Sequence, residues 1–136
     1  MLIWMASIGL AALICFCIGA AWYSLLFGAA LASLRSGNHP AIDGRPAAAV
    51  MLAEFGRCLI VAAAMAYLIN RTGTVSWGDA LTLAAVVWGG FQLFGLVGSV
   101  LHEGYPAKLY AIHMGDALVK ALASAVIITG LTSHFG

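Results

Sequence analysis

Four stretches of this chain are each long and apolar enough to cross a lipid bilayer. They run over about residues 2–23, 47–69, 77–101 and 107–131. A helix needs about 20 predominantly apolar residues to span the hydrocarbon core, and each stretch reaches that length. Because the loops between them are short, neighbouring helices are expected to pack antiparallel. The pattern predicts an all-α integral membrane fold, an up-down bundle of four transmembrane helices in one domain over residues 1–136.

The composition favours a membrane protein over a soluble domain. Of the 136 residues, 63% are hydrophobic and 8% are charged, whereas soluble domains have about 25% charged residues. So small a chain cannot bury that excess of apolar surface in a water-soluble core. The net charge of +1 and the lack of a basic cluster argue against nucleic-acid binding. The first apolar run lacks a basic n-region and a clear cleavage site, so we expect it to be a retained helix.

Aromatic residues mark both ends of the first stretch. Trp4 and Trp22 are separated by roughly 27 Å at a rise of about 1.5 Å per residue, close to the hydrocarbon thickness. Such rings favour the membrane–water interfaces. The segment that follows, up to residue 34, is too short to span again. It is expected to be a helical extension at the interface, or the last turns of a tilted first helix.

The third stretch has a recognisable start. Ser76 is a suitable N-cap residue, and Asp79 follows in the first turn, near the positive end of the helix dipole. We therefore expect the third helix to begin at about residue 77.

The basic residues of the short loops predict the orientation. Arg35, Arg45 and Lys108 fall on the side of the first and third loops, and Arg71 falls on the opposite side. The side richer in Lys and Arg is normally cytoplasmic. We expect both termini outside the cytoplasm, periplasmic in a bacterium, and loops one and three inside.

Motifs for catalysis or metal binding are not found in the sequence. His102-Glu103 begins like the H-E-x-x-H zinc motif, but position 106 is proline instead of histidine. The cysteines lie in apolar stretches and are interpreted as small buried hydrophobic residues: Cys15, Cys17 and Cys58. We therefore expect no enzyme activity, no metal and no cofactor.

Small residues recur at four-residue spacing along the predicted helices. In lipid, helices approach closely where small residues line the contact. The glycines expected to serve helix packing are Gly28, Gly89, Gly90, Gly95, Gly98 and Gly115. A glycine-lined pore or substrate groove is the alternative interpretation. Some of these faces are also candidates for contacts within an oligomer.

Ionisable residues in two of the helices are the main candidates for function. Glu54 and Arg57 are three residues apart, and His113, Asp116 and Lys120 form one stripe on the fourth helix. From the helix rise, Arg57 and Asp116 each lie roughly 15 Å beyond the start of their helix. Both starts are on the same side of the membrane, so the two helices bring these groups to similar depth.

The depths predict that the charges pair. A lone charge at the bilayer centre costs at least about 2.5–3.5 kcal/mol. We expect Arg57 to pair with Asp116, and Glu54 with Lys120 or His113; a local Asp116–Lys120 pair is the other possibility.

Two interpretations of this cluster remain open. It is either a closed ion-pair network that fixes helix register, or a polar path for protons, ions or a small solute. Gln92 on the third helix can hydrogen-bond into the cluster, and His113 is suited to proton transfer because its ordinary pKa is near neutrality.

Two segments resemble a known family. They are GAAWYSLLFGAAL, residues 19–31, and HEGYPAKLYAIHMGDALV, residues 102–119. They are similar to the two signatures of domain-of-unknown-function family 1761, small bacterial membrane proteins usually drawn with four spans. The matching residues are Trp22, Tyr23, Ser24, Leu26, Phe27, Gly28, Glu103, Pro106, Lys108, Leu109, Gly115 and Leu118. The resemblance supports the fold and implies no particular activity, substrate or cofactor.

The chain departs from the family pattern at two places. Ala29 replaces a basic residue after the first Phe-Gly, and Asp116 replaces an aromatic residue after the later glycine. Asp116 and Lys120 are therefore candidates for features particular to this protein.

The resemblance also implies that the two signatures lie near each other in space. The first helix leaves the membrane on the side where the fourth enters it. We expect an interfacial site for lipid or a partner, in which Tyr23 or Ser24 hydrogen-bonds Glu103, Lys108 faces a phosphate, and Trp22 lies at the interface.

These observations lead to two functional hypotheses for a bacterial inner-membrane protein. The first is a structural or accessory subunit, or an oligomeric scaffold, with lipid, a second copy or a larger membrane complex as its partner. The second is a small transporter or channel that works through the charged cluster. A water-filled cavity that reaches Asp116 favours transport, whereas a dry and fully paired cluster favours a scaffold.

Overall fold

The chain is helical throughout the part that is described. The computed structural model describes residues 1–35 and 47–135, and these ranges contain no β-strand. The all-α prediction is confirmed. In these described ranges four helices are long and apolar enough to cross a membrane: Leu2–Leu26, Ala47–Thr72, Trp77–His102 and Ala107–Phe135. We call them spans one to four. The protein is thus a multi-pass membrane protein by the length and composition of its helices.

Two of the spans contain a short π-helical segment. Span one is α-helical over Leu2–Ala21 and π-helical over Trp22–Leu26. After a bend at Phe27, a separate short helix covers Gly28–Arg35. The break at Phe27 shows that these residues do not simply continue a tilted span one. Span three consists of the segments Trp77–Val87, Trp88–Leu93 and Phe94–His102, of which the middle one is π-helical.

The turn between spans two and three follows from local chemistry. Gly73 has a φ of +64°, a conformation that side-chain-bearing residues rarely adopt. The Ser76 Oγ atom accepts a hydrogen bond from the Asp79 backbone N–H at 3.1 Å and donates one to Asp79 Oδ2 at 2.7 Å. The predicted N-cap is confirmed, and it satisfies a backbone donor that the helix itself leaves unpaired.

Span four is the centre of the bundle. It packs against spans one, two and three, whereas span three contacts span two only at a few positions. In span four 44% of the most apolar stretch is buried, whereas in span three 11% of the corresponding stretch is buried. Spans two and three therefore separate over much of their length, which leaves space between them beside span four.

Alanine, more than glycine, makes the tight contacts between spans. Among the described residues, six alanines on the four spans are fully buried: Ala11, Ala12, Ala62, Ala80, Ala84 and Ala125. Their small side chains let the backbones approach closely, which replaces the hydrophobic force that is missing between helices in lipid. Outward-facing residues such as Ile60 and Phe91 are exposed on the bundle surface, where lipid would contact them.

Most of the predicted glycine contacts do not form among the residues that the structure describes. A Cβ atom added at Gly89, Gly90 or Gly95 would meet nothing within 4 Å, and one at Gly98 would meet only His102 of the same helix. These positions lie on the part of span three that stands away from span two. A Cβ on Gly28 would meet only the Tyr23 backbone oxygen at 3.4 Å.

Close approach requires glycine at three other helical positions, of which one was predicted. A Cβ on Gly115 would lie 2.8 Å from the Trp22 ring, so its predicted packing role is confirmed. A Cβ on Gly19 would lie 2.6 Å from Lys120 Nζ, and one on Gly130 would lie 3.3 Å from a ring atom of Trp77.

Candidate functional site

Four charged side chains from spans two and four form a closed ring of alternating sign. Lys120 Nζ lies 2.9 Å from both Glu54 Oε1 and Asp116 Oδ2. Arg57 Nη2 lies 2.7 Å from Glu54 Oε1 and 3.8 Å from Asp116 Oδ2. Each acid thus contacts both bases. The predicted Arg57–Asp116 and Glu54–Lys120 pairs are confirmed, and the local Asp116–Lys120 pair is present as well.

One side of this ring is sealed and the other is open. Asp116 is 2% exposed and Lys120 is 5% exposed, whereas the Arg57 side chain is 53% exposed and that of Glu54 is 31% exposed. Lys120 fits inside the bundle because Gly19 on span one leaves room for its terminal carbon and nitrogen. Pairing offsets the cost of charge within the membrane, so the sealed side needs every contact that it makes.

Tyr23 joins span one to this ring. Its hydroxyl donates to Asp116 Oδ2 at 3.2 Å and lies 2.6 Å from His113 Nδ1. A hydroxyl has only one hydrogen, so when Tyr23 donates to Asp116 it must accept from a protonated Nδ1 of His113. In that arrangement Nδ1 of His113 carries a hydrogen, and the Tyr23 hydroxyl links the imidazole to the Asp116 carboxylate.

The predicted bond from Tyr23 or Ser24 to Glu103 is wrong. Tyr23 is occupied by His113 and Asp116, and the Ser24 hydroxyl donates to the Ala20 backbone oxygen of its own helix. Both residues lie in the π-helical segment, whose wider turn changes the direction of side chains relative to a regular helix. Tyr23 consequently faces span four at the depth of the charges instead of the interface.

Two tryptophans attach spans one and three to the backbone of span four. Trp22 Nε1 donates to the Ile112 carbonyl at 3.0 Å, and Trp88 Nε1 donates to the Met114 carbonyl at 2.9 Å. Each tryptophan is the first residue of a π-helical segment. The two bonds flank His113, so they hold the backbone that carries the site. Trp22 thus packs against span four, and its place at the membrane interface stays a prediction.

A cavity of about 860 Å³ lies on the open side of the ring, between spans two, three and four. The Asp116 and Arg57 side chains form part of its wall. The lining residues are Tyr23, Val50, Glu54, Arg57, Gln92, Leu96, Ser99, Glu103, Tyr105, Tyr110, His113, Met114, Asp116 and Ala117. Because Val50 is near the start of span two and Glu103 follows span three, the cavity extends toward the side of loops one and three.

The cavity collects some predicted site residues and leaves others outside. Gln92 lines the wall, but its amide makes no hydrogen bond to the charges among the residues described. Glu103 and Tyr23 line the same cavity without a hydrogen bond between them, and the two signatures are joined instead by the bonds of Tyr23 to His113 and Asp116. Lys108 and Ser24 are exposed and are not part of the wall.

Sequence reasoning missed two tyrosines of the wall. Tyr110 donates its hydroxyl to the Leu93 backbone oxygen, which fixes its ring beside the cavity. Tyr105 lies in the turn that precedes span four. The spacing contained a signal for Tyr110, because it precedes His113 by three residues and so shares the stripe that carries Asp116 and Lys120.

One oxygen of the ring lacks a partner. Asp116 Oδ2 contacts Lys120 and Tyr23, whereas the buried Oδ1 atom has no hydrogen bond within the described residues.

On the side of the ring away from the cavity, Cys15 Sγ lies 3.2 Å from Ser124 Oγ and 3.5 Å from the Lys120 backbone oxygen, which closes the bundle toward the other side of the membrane. The cavity therefore ends at the charged ring.

The fold and site define a class of protein, namely an all-α, multi-pass membrane protein with a cavity that reaches a charged ring between its helices. The chain belongs to the family described as "Protein of unknown function (DUF1761)", which it matches over residues 6–129. The resemblance of the segments around Trp22 and Glu103 is thereby confirmed. Comparison with curated proteins and with solved structures finds no similar chain.

Proposed function

We propose that this protein binds a small solute in the cavity between spans two, three and four and carries it across the membrane. The observation that supports the proposal is a cavity of about 860 Å³ that reaches the buried carboxylate of Asp116. Small-molecule sites usually enclose about 300–1,000 Å³. The volume suits an organic molecule better than a bare ion. The role is one of transport without catalysis.

The shape of the charged ring supports transport over a static scaffold. A ring that only fixed helix register would not need a cavity of this size beside it. Here Arg57 is more than half exposed and faces the cavity, while Lys120 is sealed on the opposite side. A site open on one side and closed on the other is what an alternating-access carrier presents in one of its two states.

A second, smaller cavity lies beyond the closed side of the ring. Cys15 and Ser124 separate the ring from a smaller cavity of about 150 Å³ at the far end, lined by Asn70, Thr74 and Thr132 among others. In this proposal, movement of span one against span four connects Lys120 and Asp116 to that end and closes the larger cavity.

Flux into proteoliposomes tests the proposal. Vesicles that contain the purified protein are incubated with a bacterial metabolite extract, and mass spectrometry measures what they accumulate relative to protein-free vesicles. We expect selective uptake of at least one small solute, lost in Asp116→Asn and retained in Asp79→Asn. Asp79 is a matched control because it is an acid at the opposite end of span three and is not part of the wall.

A second substitution keeps this test informative if Asp116→Asn fails to fold. Tyr23→Phe removes one hydroxyl and preserves the ring packing, and it should also reduce uptake while the protein still elutes as one species in size-exclusion chromatography. Uptake equal to that of protein-free vesicles with the folded wild-type protein would overturn the transport proposal.

An accessory subunit or homo-oligomer is a second candidate, supported by one surface of span three. Gly89, Gly90 and Gly95 have open space beside them, and Phe91 and Phe94 are 78% and 70% exposed. Small residues next to large aromatic ones form a surface on which another membrane helix can pack. Purification from native membranes, followed by identification of what is bound, tests this candidate. Recovery of the protein alone and as a monomer would contradict it.

We propose the bacterial inner membrane as the location, with both termini periplasmic and loops one and three in the cytoplasm. The support is the excess of Lys and Arg in those two loops. With this orientation the large cavity faces the cytoplasm.

A further inference from the structure

We infer that the ligand of the large cavity is a small organic cation that carries an N–H group. The inference rests on the proposed function, because it names the chemical class of solute that the same cavity would take. It is drawn from the charge balance of the wall, from the aromatic rings that line it and from one carboxylate oxygen without a donor.

The charges of the wall favour a cation over an anion. Two acids and two bases cancel within the ring, since Glu54 and Asp116 each contact both Arg57 and Lys120. Glu103 lines the same cavity, and its carboxylate has no ion pair with any of the described residues. Among the described residues of the wall there is therefore one negative charge in excess, which attracts cations and repels anions.

The one cationic side chain of the described wall, that of Arg57, is already engaged. Its Nε donates to Glu54 Oε2 at 2.9 Å and its Nη2 donates to Glu54 Oε1 at 2.7 Å. These two N–H groups are therefore not available for a bidentate bond to a carboxylate or phosphate of a ligand. An anionic ligand would have to displace Glu54, which would then leave Lys120 with one acid fewer.

Aromatic rings provide the surface that an organic cation prefers. Tyr23, Tyr105 and Tyr110 line the cavity, and the face of an aromatic ring attracts a cation within about 6 Å of its centroid. The ring of Tyr23 already has such a cation–π contact with Lys120 on the sealed side, where Lys120 Nζ lies 6.0 Å from the ring centroid. Tyr110 is held in place by its bond to the Leu93 backbone. A ligand cation would therefore meet the rings of Tyr105 and Tyr110.

The N–H requirement comes from Asp116. Asp116 lines the cavity, and its buried Oδ1 atom lacks a hydrogen-bond donor within the described residues. A buried carboxylate oxygen without a donor loses free energy that a charge-assisted hydrogen bond would recover. An ammonium group supplies that donor directly or through one bridging water, whereas a fully alkylated ammonium cannot.

Four probes of one size test the inference by isothermal titration calorimetry on the full-length protein in detergent. They are benzylammonium, benzyltrimethylammonium, benzyl alcohol and benzoate. We expect benzylammonium to bind most tightly, benzyltrimethylammonium more weakly and benzyl alcohol more weakly again, with no binding of benzoate. Benzoate binding as tight as that of benzylammonium would overturn the preference for cations. Equal affinities for the two cations would overturn the N–H requirement.

Glu103→Gln tests the source of the excess charge. Glu103 is exposed, so the substitution leaves the fold intact. We expect it to weaken benzylammonium binding by about two- to fivefold, in line with an exposed ion pair, and to leave benzyl alcohol unaffected. Asp79→Asn, which changes charge by the same amount outside the cavity, should leave both affinities unchanged. An equal loss in both variants would contradict the role of Glu103.

Binding and flux separate this inference from the proposal on which it rests. If the cations bind as expected but no solute accumulates in proteoliposomes, transport is wrong and the ligand class stands. If vesicles accumulate an anion or a neutral solute and benzylammonium does not bind, transport stands and the ligand class is wrong.

Discussion

Lys120 Nζ lies 2.6 Å from the position that a Cβ atom on Gly19 would occupy. The contact joins span one to the sealed side of the charged ring, where Lys120 also reaches Glu54 and Asp116 at 2.9 Å. A membrane helix can hold a lysine at this depth only if its neighbour provides space and its charge is paired. Gly19 provides that space, and the two acids provide the pairing.

Gly19→Ala should therefore destabilise the protein. The added methyl group would overlap Lys120 Nζ and approach Cε at 3.1 Å, so the lysine would have to leave its place between the two acids. We expect a loss of about 1–3 kcal/mol, measured as a lower thermal midpoint in detergent. Gly9→Ala on the same helix is the matched control, since a Cβ there meets nothing within 4 Å. Equal effects of the two substitutions would show that the contact between Gly19 and Lys120 does not contribute to stability.

Gly115→Ala should have a similar effect at the Trp22 contact. A Cβ would lie 2.8 Å from the indole, whose position is fixed by its hydrogen bond to Ile112. The ring cannot move without losing that bond, so we expect a loss of about 1–3 kcal/mol and altered tryptophan fluorescence. Gly90→Ala has open space and should be neutral or stabilising by up to about 1 kcal/mol, because alanine favours helix. A destabilised Gly90→Ala would indicate that span three packs on another chain.

The charged ring should respond to paired substitutions in a non-additive way. Asp116→Asn leaves Lys120 and Arg57 facing one acid, and removal of one member of a buried pair typically costs about 3–5 kcal/mol. Asp116→Asn combined with Lys120→Met restores neutrality, so the double variant should be more stable than the sum of the single effects predicts. Denaturation of the four proteins gives the coupling energy. A coupling energy of zero would mean that the pair does not act as a unit.

Tyr23→Phe should change the protonation of His113 as well as stability. Without the hydroxyl, His113 loses the acceptor that selects its Nδ1–H form, and Asp116 loses one donor. Nitrogen chemical shifts of a histidine-labelled sample should show the Nδ1–H form in the wild type and a different tautomer population in the variant. Tyr67→Phe on the exposed face of span two is the control. An unchanged His113 signal in Tyr23→Phe would rule out the link through the hydroxyl.

Reporter fusions test the orientation. A fusion at Gly136 and an insertion at Gly73 should both report the periplasm, because the cytoplasmic side should contain Arg35, Arg45 and Lys108. Alkaline phosphatase activity and the absence of green fluorescent protein signal at both positions are the expected outcome. A cytoplasmic signal from the C-terminal fusion would reverse the orientation and make the large cavity face outward.

The charge pairs could be predicted because they depend on depth, and depth follows from sequence distance. The number of residues from the start of each helix places Arg57 and Asp116 at the same level. Because an unpaired charge is costly within the membrane, two opposite charges at one level are expected to pair. The glycine contacts could not be predicted in this way. Small residues at four-residue spacing occur at Gly89 and Gly115 alike, but only Gly115 faces a neighbouring span.

The sequence by itself determined the four apolar helices, the Ser76 cap, the family and the set of charges that must meet, because each depends on local pattern or on distance along one helix. Tertiary structure decided the rest. The π-helical turn at Trp22 directs Tyr23 to His113 and Asp116, and the separation of span three from span two opens the cavity. Rotation and spacing of helices depend on contacts between residues far apart in the chain, such as Trp22 with Ile112, and hydropathy has no information about them.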